Sequence, residues 1–191
     1  LLRTNLSGMD LRSTTLTNAD FRYANLSESN LPDSLLNNNF DNAILKNINL
    51  AGKDLSKSNF QYASFDNANL QNANLSEARF VQVDLTKIKN KSLAGADLTT
   101  TSFAHSNLSG VSLDSVILHG TNFWEADLSG QDFTAISEAA SMGTTFIEAN
   151  LSNSNFEGVD MSSKGIFSAV FKNKAYLTRG ITQTLEEETK I

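Results

Sequence analysis

The sequence repeats a five-residue unit. Residues 61–80 read QYASFDNANLQNANLSEARF, where each unit ends on a large apolar residue and carries Ala two places before it. Neither the 3.6-residue period of an α-helix nor the two-residue alternation of a strand produces this pattern. The 12 Phe of the chain test the register, because 11 of them occupy the large apolar position and only Phe167 does not. A period of five therefore constrains the fold more tightly than composition does.

We call the large apolar residue of each unit its centre. Centres occupy four blocks, which start at Leu1, Phe40, Leu93 and Phe146, and the first block ends at either Leu35 or Leu36. The register breaks near 32–39, 86–92 and 134–145. The centres that we expect to form the core include Phe21, Phe60, Phe65, Leu70, Leu75, Phe80, Phe103, Phe123, Leu128, Phe133 and Phe146.

One small and one large inward position in every five suit a chain that turns a corner every five residues. Four such sides close a coil of about 20 residues, and parallel coils stack at about 4.8 Å, the spacing of hydrogen-bonded strands. Asn or Asp often precedes the centre, as at Asn69 and Asn74, and both residue types favour turns by bonding to their own backbone. Since no coil buries its apolar face alone, neighbours stabilise one another. The 33 centres predict an all-β solenoid of about eight coils.

The units ANL at 24–26, 68–70 and 73–75, and ADL at 96–98 and 126–128, resemble the pentapeptide-repeat family, whose unit is A(D/N)LXX. The resemblance covers residues 1–171 and implies a right-handed quadrilateral, or four-sided, parallel β-helix. Some residues at the small inward position are too polar for that unit, and a buried unpaired charge is costly. We expect a local bulge, or a side chain that reaches solvent, at Asp33, Asn38, Lys53, Gln131 and Lys164.

The tail 172–191 lacks the period. Tyr176, Leu177, Ile181 and Leu185 fit a helical stripe, which predicts a short C-terminal helix capping the stack. The alternative is an end-to-end homodimer through this segment, because in some relatives the C-terminal end joins two rods; otherwise the chain is a monomer. The insertion 134–143 predicts a loop that either binds a partner or is neutral. The chain begins inside the pattern, at Leu1, which suggests a trimmed fragment.

Little in the sequence suggests catalysis. The chain has no Cys, and its two histidines, His105 and His119, fall at outward positions without metal-ligand spacing. No phosphate-binding loop is present, and a filled rod offers no obvious cleft. We therefore expect no enzymatic activity, no cofactor and no metal.

Membranes and nucleic acids are also unlikely partners on sequence grounds. No apolar run approaches the roughly 20 residues of a membrane helix, and no signal peptide is visible. The basic insertion with Lys87, Lys89 and Lys91 is too small for a nucleic-acid site. The compartment stays open between the bacterial cytoplasm and secretion, with a soluble protein expected in either.

Charge is distributed unevenly. Residues 92–163 contain nine Asp or Glu and no Lys or Arg, whereas residues 1–91 contain ten Lys or Arg. Trp124, the one Trp, follows a centre in the acidic stretch and should point outward as an anchor for a partner. The alternative is that the acids serve solubility and the Trp covers a coil edge. Candidate partner contacts are Trp124, Asp114, Glu125, Asp127, Asp132 and Glu138.

Two functions remain. The first is a rigid protein–protein interaction scaffold, free-standing or as an accessory domain of a larger or secreted bacterial protein. The second is implied by the resemblance: some pentapeptide-repeat proteins bind DNA gyrase or topoisomerase IV in place of DNA and protect against quinolones. The abundance of Leu centres, the absence of Cys and the basic residues of 1–91 depart from that DNA-mimicking type. These departures favour the scaffold, and neither function follows from the fold alone.

Overall fold

The computed structural model describes residues 1–136 and 142–159. Apart from one turn of 3₁₀ helix at Lys89–Lys91, these residues form tight turns separated by isolated parallel β-bridges. The bridges join residues 20 positions apart over most of the chain, such as Asn5 with Asn25. The described part is therefore a mostly non-helical solenoid whose successive coils pair in parallel.

The bridge spacing changes where the five-residue register changes. Asp20 pairs with Asn39, 19 residues on, across the short step at 31–35. Asn74 pairs with Asp97 and Asn122 with Thr145, each 23 residues on, across the two insertions. An extra three residues are thus absorbed as a local bulge, and pairing resumes beyond it.

Each five-residue unit forms a turn. The carbonyl of the centre accepts the N–H of the residue three positions on, as Phe21 does from Ala24 at 2.9 Å. The third residue of the turn has positive φ, for example 57° at Asn67, a conformation that Gly and Asn adopt readily. The Asn or Asp before the centre accepts the N–H two residues on, as Asn25 Oδ1 does from Ser27 at 3.0 Å. The repeated sequence therefore encodes the turn locally.

The centres form the core. From Leu16 to Phe156, every centre in the described ranges is buried, whereas Leu6 and Leu11 in the first coil are only partly buried. Leu35 is buried and Leu36 is not, which identifies Leu35 as the centre of its unit. Seven aromatic centres stack with ring centroids 4.8–5.4 Å apart, in the order Phe21, Phe40, Phe60, Phe80, Phe103, Phe123 and Phe146.

The polar residues at small positions behave in two ways. The Asp33 side chain is fully exposed, as expected, whereas that of Lys53 is only 14% exposed and places its Nζ 3.0 Å from Asp33 Oδ1. For Asn38 and Gln131 the expectation of an exposed side chain is wrong, because they are only 1% and 3% exposed. Lys164 lies outside the described residues.

The two buried amides find backbone partners. Gln131 Nε2 donates to the carbonyl of Leu108 at 2.6 Å, and Asn38 Oδ1 accepts the N–H of Ala19 at 2.7 Å. Thr121 uses the same geometry, donating through Oγ1 to the carbonyl of Leu98 at 2.8 Å. Gln131 and Thr121 are therefore tolerated because the preceding coil presents a centre carbonyl to each. Asn38 is satisfied only in part, since its buried Nδ2 has no hydrogen-bond partner among the described residues. The predicted cap at 172–191 lies outside the described residues, as do residues 137–141 of the predicted loop.

Candidate protein-interaction surface

One column of turn residues gathers the exposed aromatic side chains. The N–H of each residue donates to a carbonyl of the next coil at 2.9–3.2 Å, which stacks the residues one above another. The residues that donate in this way are Tyr23, Asn42, Tyr62, Gln82, His105 and Glu125. With them we group Trp124, which precedes Glu125 in the same turn and accepts the N–H of His105 through its carbonyl, and Glu148, two residues after the next centre, Phe146. We call this set the aromatic column.

The aromatic side chains of the column are open to solvent. Tyr23 is 51% exposed, Tyr62 49% and Trp124 41%, and within the described ranges these are all the Tyr and Trp residues. The Arg3 guanidinium lies 5.3 Å from the centre of the Tyr23 ring, a cation–π distance. The rest of the exterior is largely Asn, Ser, Thr and charged residues, so the column is a distinct chemical feature.

The C-terminal end of the column, which we call its upper end, is a compact cluster. The rings of His105 and Trp124 have centroids 4.7 Å apart and are tilted by 60°. His105 Nδ1 lies 3.0 Å from Glu125 Oε2. These contacts hold Trp124 against a neighbouring coil while leaving part of its indole exposed, which is the arrangement of an anchoring residue at an interface.

The backbone of the column is unfavourable for the side chains that it carries. Tyr23, Tyr62 and His105 have φ of 58°, 57° and 57°, in the left-handed region that costs an L-residue about 1–2 kcal/mol. Glycines with positive φ occur at eight described turns, all in other columns: Gly8, Gly52, Gly95, Gly110, Gly120, Gly130, Gly143 and Gly158. Lys57 and Glu77 have φ of 60° and 59° in another column, so positive φ belongs to the repeat; what is particular to the aromatic column is that no described position of this kind in it is Gly.

Two of the acidic candidates are engaged in turns. Asp127 Oδ1 accepts the N–H of Ser129 at 2.9 Å and Nδ2 of Asn150 at 3.0 Å. Asp132 Oδ1 accepts the N–H of Thr134 at 2.9 Å. These carboxylates occupy the Asn/Asp position of the repeat, so a role in folding accounts for them without a partner.

Asp114 has a different environment. It lies with Asp132 on the wall of a shallow, open hollow of about 190 Å³ between two coils. Among the described residues, a parallel β-bridge joins Ser112 to Ser92, but none joins Ser112 to Asp132 on the next coil. The hollow lies where this β-bridge is missing. Its partner-binding role stays a prediction, and Glu138 lies outside the described residues.

The acids of the Lys- and Arg-free stretch do not form one row. Glu125 and Glu148 belong to successive coils of the aromatic column, Asp127 lies in the ladder between Asn107 and Asn150, and Asp114 lines the hollow. Within the described ranges, no column places more than two acids on consecutive coils. A DNA-mimicking surface would need a longer continuous run of negative charge.

Sequence reasoning singled out Trp124 and Glu125, which the fold does bring to one place, but it missed Tyr23 and Tyr62. A signal was present, because Tyr23 and Tyr62 lie 39 residues apart, which equals two coils once the short step at 31–35 is counted. His105 and His119 are both exposed, as expected, and only His105 joins the column.

Two further searches covered the described residues. They contain no group of three or more His, Cys, Asp or Glu arranged to hold a metal ion. No helix among them is long and apolar enough to cross a membrane.

Parallel coils, a turn every five residues and stacked apolar centres together define a repeat solenoid. The family model for pentapeptide repeats matches in eight copies over residues 1–38, 39–72, 48–86, 92–130 and 137–162. The chain belongs to the pentapeptide-repeat family.

Several solved structures are similar to this chain. HetL, a pentapeptide repeat protein involved in heterocyst differentiation regulation in the cyanobacterium Nostoc sp. strain PCC 7120, is 24% identical over 93% of this chain and 88% of its own, with a TM-score of 0.31. QnrB1, a plasmid-mediated fluoroquinolone resistance protein, is 22% identical over 98% of this chain and 83% of its own, with a TM-score of 0.34. A pentapeptide repeat protein from the Arabidopsis thaliana thylakoid lumen is 21% identical over 71% of this chain and 68% of its own, with a TM-score of 0.20. No curated protein matches the sequence significantly.

Proposed function

We propose that the chain is a non-catalytic rod that binds a protein partner through the aromatic column. The observation that carries this proposal is the concentration of Tyr23, Tyr62, His105 and Trp124 on one column. Tyr and Trp are enriched among the residues that dominate binding energy at protein interfaces. A stiff backbone ladder holds them in place before binding, which reduces the entropy that association costs.

The shape of the rod is part of the proposal. We take the coil to be four-sided and right-handed, with about eight coils along the repeat region 1–171. Four turns between a residue and its bridge partner 20 positions on support four sides. The family resemblance supports the handedness.

A capture experiment tests the scaffold. The purified chain, immobilised through an N-terminal tag, is exposed to bacterial lysate, and bound proteins are quantified for the wild type and for Trp124→Ala. Ile117→Ala is the matched control, because Ile117 is 44% exposed and lies in a different ladder. The proposal expects a partner that is retained by wild type and the Ile117 variant but lost from the Trp124 variant. Equal recovery on all three would place binding elsewhere.

The second candidate is a DNA mimic that binds gyrase or topoisomerase IV. The nine acids without Lys or Arg in residues 92–163 favour it, while the turn bonds of Asp127 and Asp132 weaken it. Supercoiling by bacterial gyrase is measured against increasing protein at low and moderate salt. Inhibition that weakens with salt and disappears in Asp114→Asn/Asp127→Asn/Asp132→Asn would establish the mimic; no inhibition at micromolar protein would reject it.

Assembly state separates the remaining alternatives. A monomer fits an accessory domain of a larger or secreted bacterial protein, and an end-to-end homodimer through 172–191 fits a free-standing rod. Light scattering on the whole chain and on a chain ending at residue 171 distinguishes the two.

A further inference from the structure

We infer that the aromatic column docks a proline-rich segment in the polyproline II conformation, with a basic residue at the end nearest Glu125 and Glu148. This inference rests on the proposed function and names the chemistry of the partner. It draws on four features of the column: the spacing of its aromatic rings, the amide side chains between them, the backbone N–H groups already engaged between coils, and the acidic charge at one end.

The spacing of the aromatic rings matches the polyproline II repeat. The Phe21, Phe40 and Phe60 rings beneath the column are 5.0 and 4.9 Å apart, so Tyr23 and Tyr62, two coils apart, are separated by about 10 Å along the axis. The Phe60, Phe80 and Phe103 rings, 4.8 and 5.2 Å apart, give a similar interval from Tyr62 to His105. Polyproline II advances about 9.3 Å in each three-residue turn, so every third residue would meet an aromatic ring.

The residues between the rings suit the same ligand. Asn42 and Gln82 alternate with Tyr23, Tyr62 and His105 along the column. A polyproline II chain has no internal hydrogen bonds and presents its carbonyls outward, so amide and phenol donors can bind it. Aromatic-lined surfaces are the usual docking sites for such segments.

The backbone of the column disfavours a partner that adds a β-strand. The N–H groups of Tyr23, Asn42, Tyr62, Gln82 and His105 are already used between coils. Strand addition requires a free edge, whereas polyproline recognition depends on side chains. The aromatic column therefore favours side-chain recognition of an extended peptide.

Charge sets the orientation. The upper end of the column carries Glu125 and Glu148 on successive coils, within a stretch that has no Lys or Arg. An Arg of the partner can stack on the exposed indole of Trp124 and pair with Glu125. The same acids disfavour a nucleic-acid strand at this end, because its phosphates are negatively charged.

Synthetic peptides test the inference on the whole chain. The probe is a nonaproline, which spans about 28 Å, followed by two Arg. Binding is followed through the fluorescence of Trp124, the one Trp. A Gly-Ser peptide of equal length with the same two Arg controls for charge, and a nonaproline with two Glu controls for orientation. Cellohexaose controls for sugar binding to the aromatic rings.

Three variants sharpen the test. Tyr62→Asn introduces a residue that tolerates positive φ, so the fold is preserved. This variant should bind the Arg-tailed nonaproline at least tenfold more weakly than wild type does. Ile117→Ala should leave the affinity unchanged. Glu125→Gln should weaken binding of the Arg-tailed nonaproline about threefold to tenfold, and it should not weaken binding of the Glu-tailed nonaproline, which the Glu125 carboxylate repels.

The outcomes are decisive. Saturable binding of the Pro-Arg peptide that depends on Tyr62 and exceeds binding of the Gly-Ser peptide supports the inference. Equal binding of both Arg-tailed peptides, binding of cellohexaose alone, or no binding at millimolar peptide overturns it. If the peptide fails while the lysate partner still depends on Trp124, only this inference falls; if both fail, the proposed function falls with it.

Discussion

Tyr62 offers a test of the backbone strain in the aromatic column, because the variant with glycine at this position should be more stable than the variant with alanine. Both substitutions remove the same ring, so the lost contacts cancel in the comparison. At φ of 57° an L-residue is disfavoured by about 1–2 kcal/mol, while glycine loses about 0.5–1 kcal/mol more backbone entropy on folding than alanine. Tyr62→Gly should therefore exceed Tyr62→Ala by about 0.5–1 kcal/mol in the free energy of unfolding.

Urea unfolding at 25 °C, followed by circular dichroism and by Trp124 fluorescence, measures the difference. Gln61 is the matched control, because it belongs to the same turn but is not among the residues with positive φ. There the order should reverse, with Gln61→Gly less stable than Gln61→Ala by about 0.5–1 kcal/mol. Finding alanine equal to or better than glycine at Tyr62 would refute the assignment of strain to this column. Confirmation would mean that a side chain at this turn position lowers the free energy of unfolding relative to glycine.

Three further predictions concern the core and the surface. Phe60→Ala should destabilise the chain by about 3–5 kcal/mol. Phe60→Leu should cost about 1–2 kcal/mol, since leucine keeps the burial but loses stacking on Phe40 and Phe80; an unchanged urea midpoint for Phe60→Leu would show that stacking adds nothing. Thr121→Val should cost about 1 kcal/mol through the lost bond to Leu98, and an unchanged urea midpoint would contradict this. Hydrogen bonds from Arg22 lower the pKa of Asp20 to about 2 from 3.8, so the ionised carboxylate stabilises the fold above about pH 4 and this contribution is lost as pH falls through 2. The difference in unfolding free energy between wild type and Asp20→Asn should therefore shrink from pH 5 to pH 2 in acid titrations. A constant difference would refute the linkage.

The sequence alone determined the structure of each five-residue turn, because the interactions that form the turn lie within the unit itself. The Asn or Asp before the centre closes the turn through its side chain, as Asn25 does with Ser27, and the small residue and the centre are both inward. These are interactions within five residues, so a five-residue pattern predicts them. The family followed from the same pattern.

Only the tertiary structure decided which side chains meet between coils. Leu35 was chosen over Leu36 by burial, and Gln131 is accepted in the core because the Leu108 carbonyl of the preceding coil receives its amide. Tyr23 and Tyr62 are 39 residues apart in sequence and lie in one column only because the short step at 31–35 resets the coil. Each short step or insertion shifts the register of all the coils that follow it. Which residues align in a surface column therefore depends on the whole solenoid rather than on any local motif.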